Sequence, residues 1–199
     1  MGGMSRKSGQ SGFTLIEMLV VLAIMSVLAI VTLPNIFRTT EDQRLKGDGR
    51  GIAQSVGVAK MRAASKFSRA RLFVDLNTNS FFTQYWDKTL NDWVTEGGTT
   101  RLSRGVTFGF SILGAPPPTT QVVISQSPAC TDAAGVAIAN SACITFNSRG
   151  IPVDGVGAPT GNNAVYITNG VGVFGTTLTA TPLVRLWWSP ANTVSWIRQ

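Results

Sequence analysis

Residues 12–35 read GFTLIEMLVVLAIMSVLAIVTLPN, and this stretch decides how the chain is organised. From Met18 to Leu33 it carries no charge, and Ser26 and Thr32 are its only polar members. Counted from Phe13, 21 residues lead to Leu33, interrupted by one ionisable group, Glu17. A helix of that length spans about 31 Å, close to the thickness of bilayer hydrocarbon. The alternative is a buried core helix, but the rest of the chain offers too few apolar partners for one. Ahead of the run lies MGGMSRKSGQSG (1–12), polar and basic through Arg6 and Lys7. A positive flank predicts a cytoplasmic N-terminus, with everything after Pro34 outside.

The remaining composition narrows the function classes. Seventeen Lys and Arg oppose ten Asp and Glu over 199 residues, giving a formal charge of +7. Only 14% of the residues are charged, against roughly 25% in an ordinary soluble domain. There is no histidine, which removes Ser–His and Cys–His nucleophilic pairs, His metal sites and His acid–base chemistry. Two cysteines, Cys130 and Cys143, are too few for a cysteine-only zinc site. The composition points away from an enzyme, and neither a metal nor a cofactor is expected.

A secretory signal peptide also begins basic and continues apolar. This run is longer than a usual signal core, and LPNIFRTT (33–40) follows it in place of a small-x-small cleavage site. Glu17 is the second distinction. A carboxylate at bilayer depth costs about 2.5–3.5 kcal/mol on insertion scales, so such residues carry function. Gly12-Phe13-Thr14-Leu15-Ile16-Glu17, with the apolar run and Leu33-Pro34-Asn35, closely resembles the class III signal of type IV pilins and type II secretion pseudopilins. The resemblance implies cleavage by a prepilin peptidase after Gly12, N-methylation of Phe13, and assembly through Phe13, Glu17 and Pro34. It also implies contact between Glu17 and the Phe13 amine of a neighbouring subunit. The physical logic is plain: each charge is expensive to bury alone, and pairing removes both penalties while fixing the axial stagger.

Past Pro34, which is expected to kink or loosen the helix, Gly47, Gly49, Gly51 and Gly57 each disfavour helix by about 1 kcal/mol relative to alanine. Ile52, Val56, Ala59, Ala63, Phe67 and Ala70 nevertheless fall on one stripe less than about 100° wide. These residues predict a stem helix from Phe13 to about Leu72, weakened near Pro34 and at Lys46–Gly51. Its second half docks on a head. Lys60, Arg62, Lys66, Arg69 and Arg71 decorate that half with no acid among them. They are a solvated helix face or a candidate anion or partner surface, and no interleaved aromatic platform for stacking is expected among them.

From Leu72 the helical period gives way to β-prone pieces: RLFVDL (71–76), SFFTQYW (80–86), GVTFGFSIL (105–113), QVVISQ (121–126), ACITFN (142–147), AVYITNGVGVF (164–174), PLVRLWW (182–188) and TVSWIRQ (193–199). Asn77–Asn79, Gly97-Gly98, Ala115–Pro118 and Gly155–Asn163 read as turns and loops. Short runs with tight turns imply antiparallel sheet. The order of parts, with Phe146-x-x-x-Gly150 before the last strands, resembles the GspH/FimT group of H-type pseudopilins and minor pilins. DNA-binding members of that group use arginines near a Gly-Arg-x-Arg stretch at the C-terminus. Here Leu183–Trp188 holds one arginine, Arg185, and no glycine. Trp187, Trp188, Trp196 and Arg198 are expected to form an exposed contact surface for a partner pilin.

Cys130 and Cys143 lie in a domain expected outside the cytoplasm, where a bridge between them would stabilise by about 3 kcal/mol, the alternative being two free thiols. Asp75, Asp87, Asp92, Asp132 and Asp154 show no metal or acid–base spacing; Asp154 with Asn162 and Asn163 reads as a plain loop or a weak calcium loop. The expected chain is α+β: a leader (1–12), a transmembrane and assembly helix (13–33), its amphipathic continuation (34–71) and a mainly antiparallel β-rich head (72–199). By resemblance it is a structural subunit, a minor pilin or pseudopilin, and the alternative is a DNA-binding minor pilin in DNA uptake. Its expected partners are other pilin subunits, prepilin peptidase and the inner-membrane assembly platform. The expected location is the bacterial inner membrane, single pass with a periplasmic head, and then a pilus or pseudopilus.

Overall fold

The computed structural model describes residues 13–199, and of residues 31–38 the backbone alone. The leader with Gly12, and the side chain of Pro34, lie outside the described residues. The chain divides after Thr40 into two compact units. One helix, α1 (Leu15–Ser65), contributes to both.

In the first unit the helix exposes every residue from Phe13 to Leu28. Among the described residues no helix is long and apolar enough to cross a membrane. The expected span to Leu33 runs into positions 31–33, whose side chains are not described.

In the second unit, residues 41–65 of α1 bury a stripe of Leu45, Gly49, Ile52, Val56, Ala59 and Ala63. The steps of four and three residues keep these positions on one face. The expected weakening at Lys46–Gly51 does not occur. Gly49 lies so close to the Phe174 ring that a Cβ there would sit 2.1 Å from Cδ1. Its carbonyl also accepts a 3.4 Å hydrogen bond from Thr176 Oγ1. Glycine is selected at this position for close packing against a strand, and the helix tolerates the propensity penalty because tertiary contact repays it.

The helix also stops earlier than expected, at Ser65, and Phe67 and Ala70 leave the stripe. Phe67 takes a left-handed φ of 48° and is 76% exposed. Ser68 N–H donates to Ala63 O, and Phe67 N–H to Ala64 O, both at 3.2 Å. This is a Schellman stop with phenylalanine where glycine is usual. Ala70 then begins β1.

The head carries two five-stranded antiparallel sheets. The first is built from β1 (Ala70–Asp75), β2 (Ser80–Asp87), β3 (Asp92–Arg101), β5 (Ser141–Phe146) and β6 (Pro152–Val153), in the order β3-β2-β1-β5-β6. The second comprises β4 (Thr107–Phe108), β7 (Asn163–Thr168), β8 (Gly172–Leu178), β9 (Val184–Pro190) and β10 (Ile197–Arg198), in the order β10-β9-β8-β7-β4. Helix residues Leu45, Ile52, Val56, Ala59 and Ala63 share one core with Leu72, Val74, Ile144 and Phe146 of the first sheet and Val165, Ile167 and Phe174 of the second. A smaller core gathers Leu113, Ile124, Ala164, Tyr166, Val173 and Ala191.

Three strand expectations are corrected. QVVISQ forms no strand: Val122 is exposed and Ile124 alone of its apolar residues is buried, held in the smaller core. Gly97-Gly98 lies inside β3, where Gly97 (φ 81°) sits at a register shift between the pairs Phe81–Thr100 and Thr83–Glu96. A glycine in the left-handed region helps absorb the two extra residues that β3 carries at this bulge, so a pair that reads as a turn continues a strand. Residues 164–174 fold as a hairpin, turned at Asn169-Gly170, with Gly170 at φ 82°.

Candidate assembly helix and interaction surfaces

Thr14 opens the N-terminal helix. Its Oγ1 accepts from Glu17 N–H at 3.3 Å, and its carbonyl accepts from Met18 N–H at 3.2 Å. Thr14-x-x-Glu17 is the pattern of a capping box, and Glu17 lies in the first turn, where the helix dipole favours a carboxylate. The sequence reading missed this local role, although the threonine-to-glutamate spacing signals it. Thirteen large apolar side chains from Phe13 to Ile30 are exposed around this helix. A helix apolar on all sides needs a partner that is itself apolar.

The basic positions do not form one helix face. Lys60 lies against the turn at Gly150, where an added Cβ would meet Lys60 Cγ at 3.1 Å. Gly150 takes φ 72° and closes a turn on Asn147, one residue after the fully buried Phe146. Arg62 pairs with Glu96 of β3 at 3.0 Å. Lys66 lies 4.9 Å from the Tyr85 ring centroid. Arg69 lies 4.7 Å above the Trp86 ring and 5.6 Å from that of Trp93. Arg71, within β1, is 2% exposed. Its Nε donates to Gln84 Oε1 (2.8 Å) and Nη1 to Thr131 O (2.6 Å), and it stacks 3.9 Å from Trp93. Burial, with Arg69 beside it, lowers its pKa to about 10, partly opposed by Asp92. Aromatic residues therefore do interleave with these charges, brought in by β2 and β3 from beyond the segment that reads as helix.

The C-terminal aromatic surface is also corrected. Trp187 is buried, with Nε1 donating to Thr177 Oγ1 at 3.0 Å. Trp188 is half-buried against the main core. Trp196 donates to Ala115 O at 3.0 Å and packs 5.8 Å from the Tyr166 ring. Arg198 alone of the four is exposed. An indole buries its large apolar area best where its N–H also finds an acceptor, which β8 supplies for Trp187 and the loop at Ala115 for Trp196. Burial pushes the Tyr166 hydroxyl pKa up, and that hydroxyl donates to Gln121 Oε1 at 2.9 Å.

Cys130 and Cys143 are joined by a disulfide, with Cα atoms 4.9 Å apart and a sequence separation of 13. The unassigned carboxylates close turns. Asp75 Oδ1 accepts from Asn77 and Thr78 N–H, Asp87 Oδ1 from Thr89 and Leu90, Asp132 Oδ1 from Val136, and Asp154 Oδ1 from Val156 and Ala158. Hydrogen bonds hold the Asp75 pKa down, the Thr78 side chain foremost. Among the described residues there is no group of three or more acidic or cysteine side chains able to hold a metal.

The family model described as "Prokaryotic N-terminal methylation motif" matches residues 7–33. No curated protein matches the chain. Among solved structures, one of the minor pseudopilin EpsH from the Type 2 Secretion System of Vibrio cholerae is similar at 12% identity and a TM-score of 0.46. It covers 75% of this chain and 99% of its own. A second structure of EpsH from Vibrio cholerae is similar at 10% identity and a TM-score of 0.43, covering 72% and 93%. The chain thus carries, over residues 7–33, the prokaryotic N-terminal methylation motif that Gly12–Glu17 leads one to expect.

Proposed function

We propose that the chain is a structural subunit, a minor pilin or pseudopilin, of a type IV pilus or type II secretion pseudopilus. The observation that carries this reading is the N-terminal methylation motif at residues 7–33. The apolar side chains exposed from Phe13 to Ile30 support assembly through the N-terminal helix, first in the bacterial inner membrane and then among neighbouring subunits. The Cys130–Cys143 bridge supports a head that matures in an oxidising compartment, the periplasm. Prepilin peptidase cleaves after Gly12 and the new terminus, Phe13, is N-methylated. Its ammonium meets Glu17 of a neighbour, so that two charges too expensive to bury singly are buried as a pair. The partners are other pilin subunits and the inner-membrane assembly platform. The role is mechanical, with no catalytic step.

Intact mass and N-terminal sequencing, after co-expression with a prepilin peptidase, test this reading. A chain beginning at N-methyl-Phe13 is expected, and a Gly12 substitution is expected to leave the full-length precursor in the membrane. A mature terminus beyond Pro34 would identify an ordinary signal peptide and overturn the assignment.

A further inference from the structure

Arg69, Arg71, Phe73, Phe82, Gln84, Trp86 and Trp93 alternate along β1–β3 with residues committed to the main core, which places them on the opposite face of the first sheet. Trp86 and Trp93 are direct cross-strand partners, in edge-to-face contact at 5.4 Å. The two guanidiniums flank this pair. Arg71 is locked by two hydrogen bonds and by Trp93. Arg69 is exposed but rests on Trp86, and its backbone carbonyl accepts Trp86 N–H at 2.7 Å. Among the described residues, neither arginine has a carboxylate within salt-bridge distance. Two like charges are therefore held side by side, and Asp92, which acts on Arg71 without forming an ion pair, opposes the effect of burial and of Arg69 only in part.

We propose that this arginine–tryptophan face binds a carboxylate-bearing segment of another protein subunit, with Arg69 as the primary contact and Arg71 as the fixed charge behind it. Three observations select that occupant. The guanidinium is a planar fork matched to a carboxylate, and stacking on Trp86 pre-organises it, so less freedom is lost on binding. Tryptophan and arginine together are the residue types in which binding energy concentrates. The formal charge of +7 steers acidic partners toward the molecule. A single-stranded nucleic acid fits less well. It needs open aromatic faces for its bases, and here guanidiniums stack on the indole rings. Arg62, engaged by Glu96, is not free to follow a phosphate chain. The surface is independent of the N-terminal helix and of its processing.

Fluorescence anisotropy of labelled decaglutamate, titrated with the full chain in non-ionic detergent, tests the inference. Salt-sensitive binding is expected. Arg69→Gln is expected to weaken it about tenfold, the loss of one charge-assisted contact. Arg69→Lys keeps the charge without the fork and is expected to restore less than half of that loss on a logarithmic scale. Arg149→Gln, the same change in net charge at an exposed position elsewhere, is expected to leave affinity within about twofold. A labelled dT10 oligonucleotide serves as the nucleic-acid probe. Absence of decaglutamate binding, an equal loss in Arg149→Gln, or full restoration by Arg69→Lys would overturn the proposal. Tighter, Arg69-dependent binding of dT10 would also overturn it, in favour of a nucleic-acid surface.

Discussion

One helix contains two opposite solutions to the problem of burying apolar surface. From Leu15 to Ile30 its side chains are large, point in every direction and are exposed. From Leu45 to Ala63 the buried apolar side chains keep to one stripe and diminish from Leu and Ile to Val and Ala, leaving Val58 and Met61 exposed. The first pattern cannot be satisfied by one face of a sheet. At about 1.5–3 kcal/mol for each large apolar side chain, surrounding it is worth on the order of 20 kcal/mol or more. Lipid or several neighbouring helices can supply that environment. The second pattern fits a single sheet-bearing head, and Gly49 lets a helix approach Phe174 more closely than any larger residue allows. The first region is built for partners outside the chain, and the second for partners within it.

The sharpest way to break this contrast is at Glu17. Glu17→Val makes the first region more apolar, so anchoring is kept. It leaves a neighbour's ammonium buried without its partner, at a cost of about 3–5 kcal/mol. Incorporation into sheared filaments, scored by co-purification with partner pilins, is expected to fall at least about tenfold while unfolding of the head is unchanged. Normal incorporation would mean that the first region works by hydrophobicity alone.

A smaller effect separates the regions by stability. Ile52→Ala is expected to destabilise the head by about 2–5 kcal/mol, whereas Leu19→Ala stays within about 0.5 kcal/mol. Urea unfolding in detergent reads this cleanly, because all five tryptophans follow residue 85. Equal losses would show that the first region also supports the head. The finest test compares two glycines. Gly47 has nothing within 4 Å of an added Cβ, so Gly47→Ala is expected to gain about 1 kcal/mol of helix propensity. Gly49→Ala gains the same propensity but drives a methyl into Phe174, for a net loss of about 1–3 kcal/mol. Changes of the same sign would refute close packing as the reason for Gly49.

The contrast also explains which parts of the molecule are legible in sequence. The N-terminal motif is local chemistry at fixed spacing, so Gly12–Glu17 and the apolar run can be read directly. Ile52, Val56, Ala59 and Ala63 are legible because burial follows the helical period. Phe67 is not: nothing local announces that a phenylalanine takes the left-handed turn that stops the helix. Gly97 misleads for the converse reason, since bulge and turn draw on the same conformational freedom. The basic positions required tertiary knowledge. Arg69 and Arg71 meet Trp86 and Trp93 only after β1, β2 and β3 pair, and no one-dimensional period holds that information. Trp187 and Trp196 were legible as a cluster of large aromatics but not as packed ones, because their acceptors, Thr177 on the paired strand and Ala115 in a distant loop, meet them only once the chain has folded.

The ends of the two sheets bear on growth by addition of further strands. An open sheet exposes unpaired backbone donors and acceptors along its outer strands, an invitation to uncontrolled stacking of copies. All four outer strands here are poor templates. β4 and β10 are two residues long, as is β6, whose Pro152 has no N–H to offer. β3 is long, but it is bulged at Gly97 and studded with Asp92, Glu96 and Arg101. A molecule assembled as proposed through its apolar N-terminal helix would live at high local concentration beside its own kind. Blunt sheet margins keep strand pairing from competing with the proposed assembly, in which copies added through the helix would lengthen a fibre instead of condensing into an aggregate.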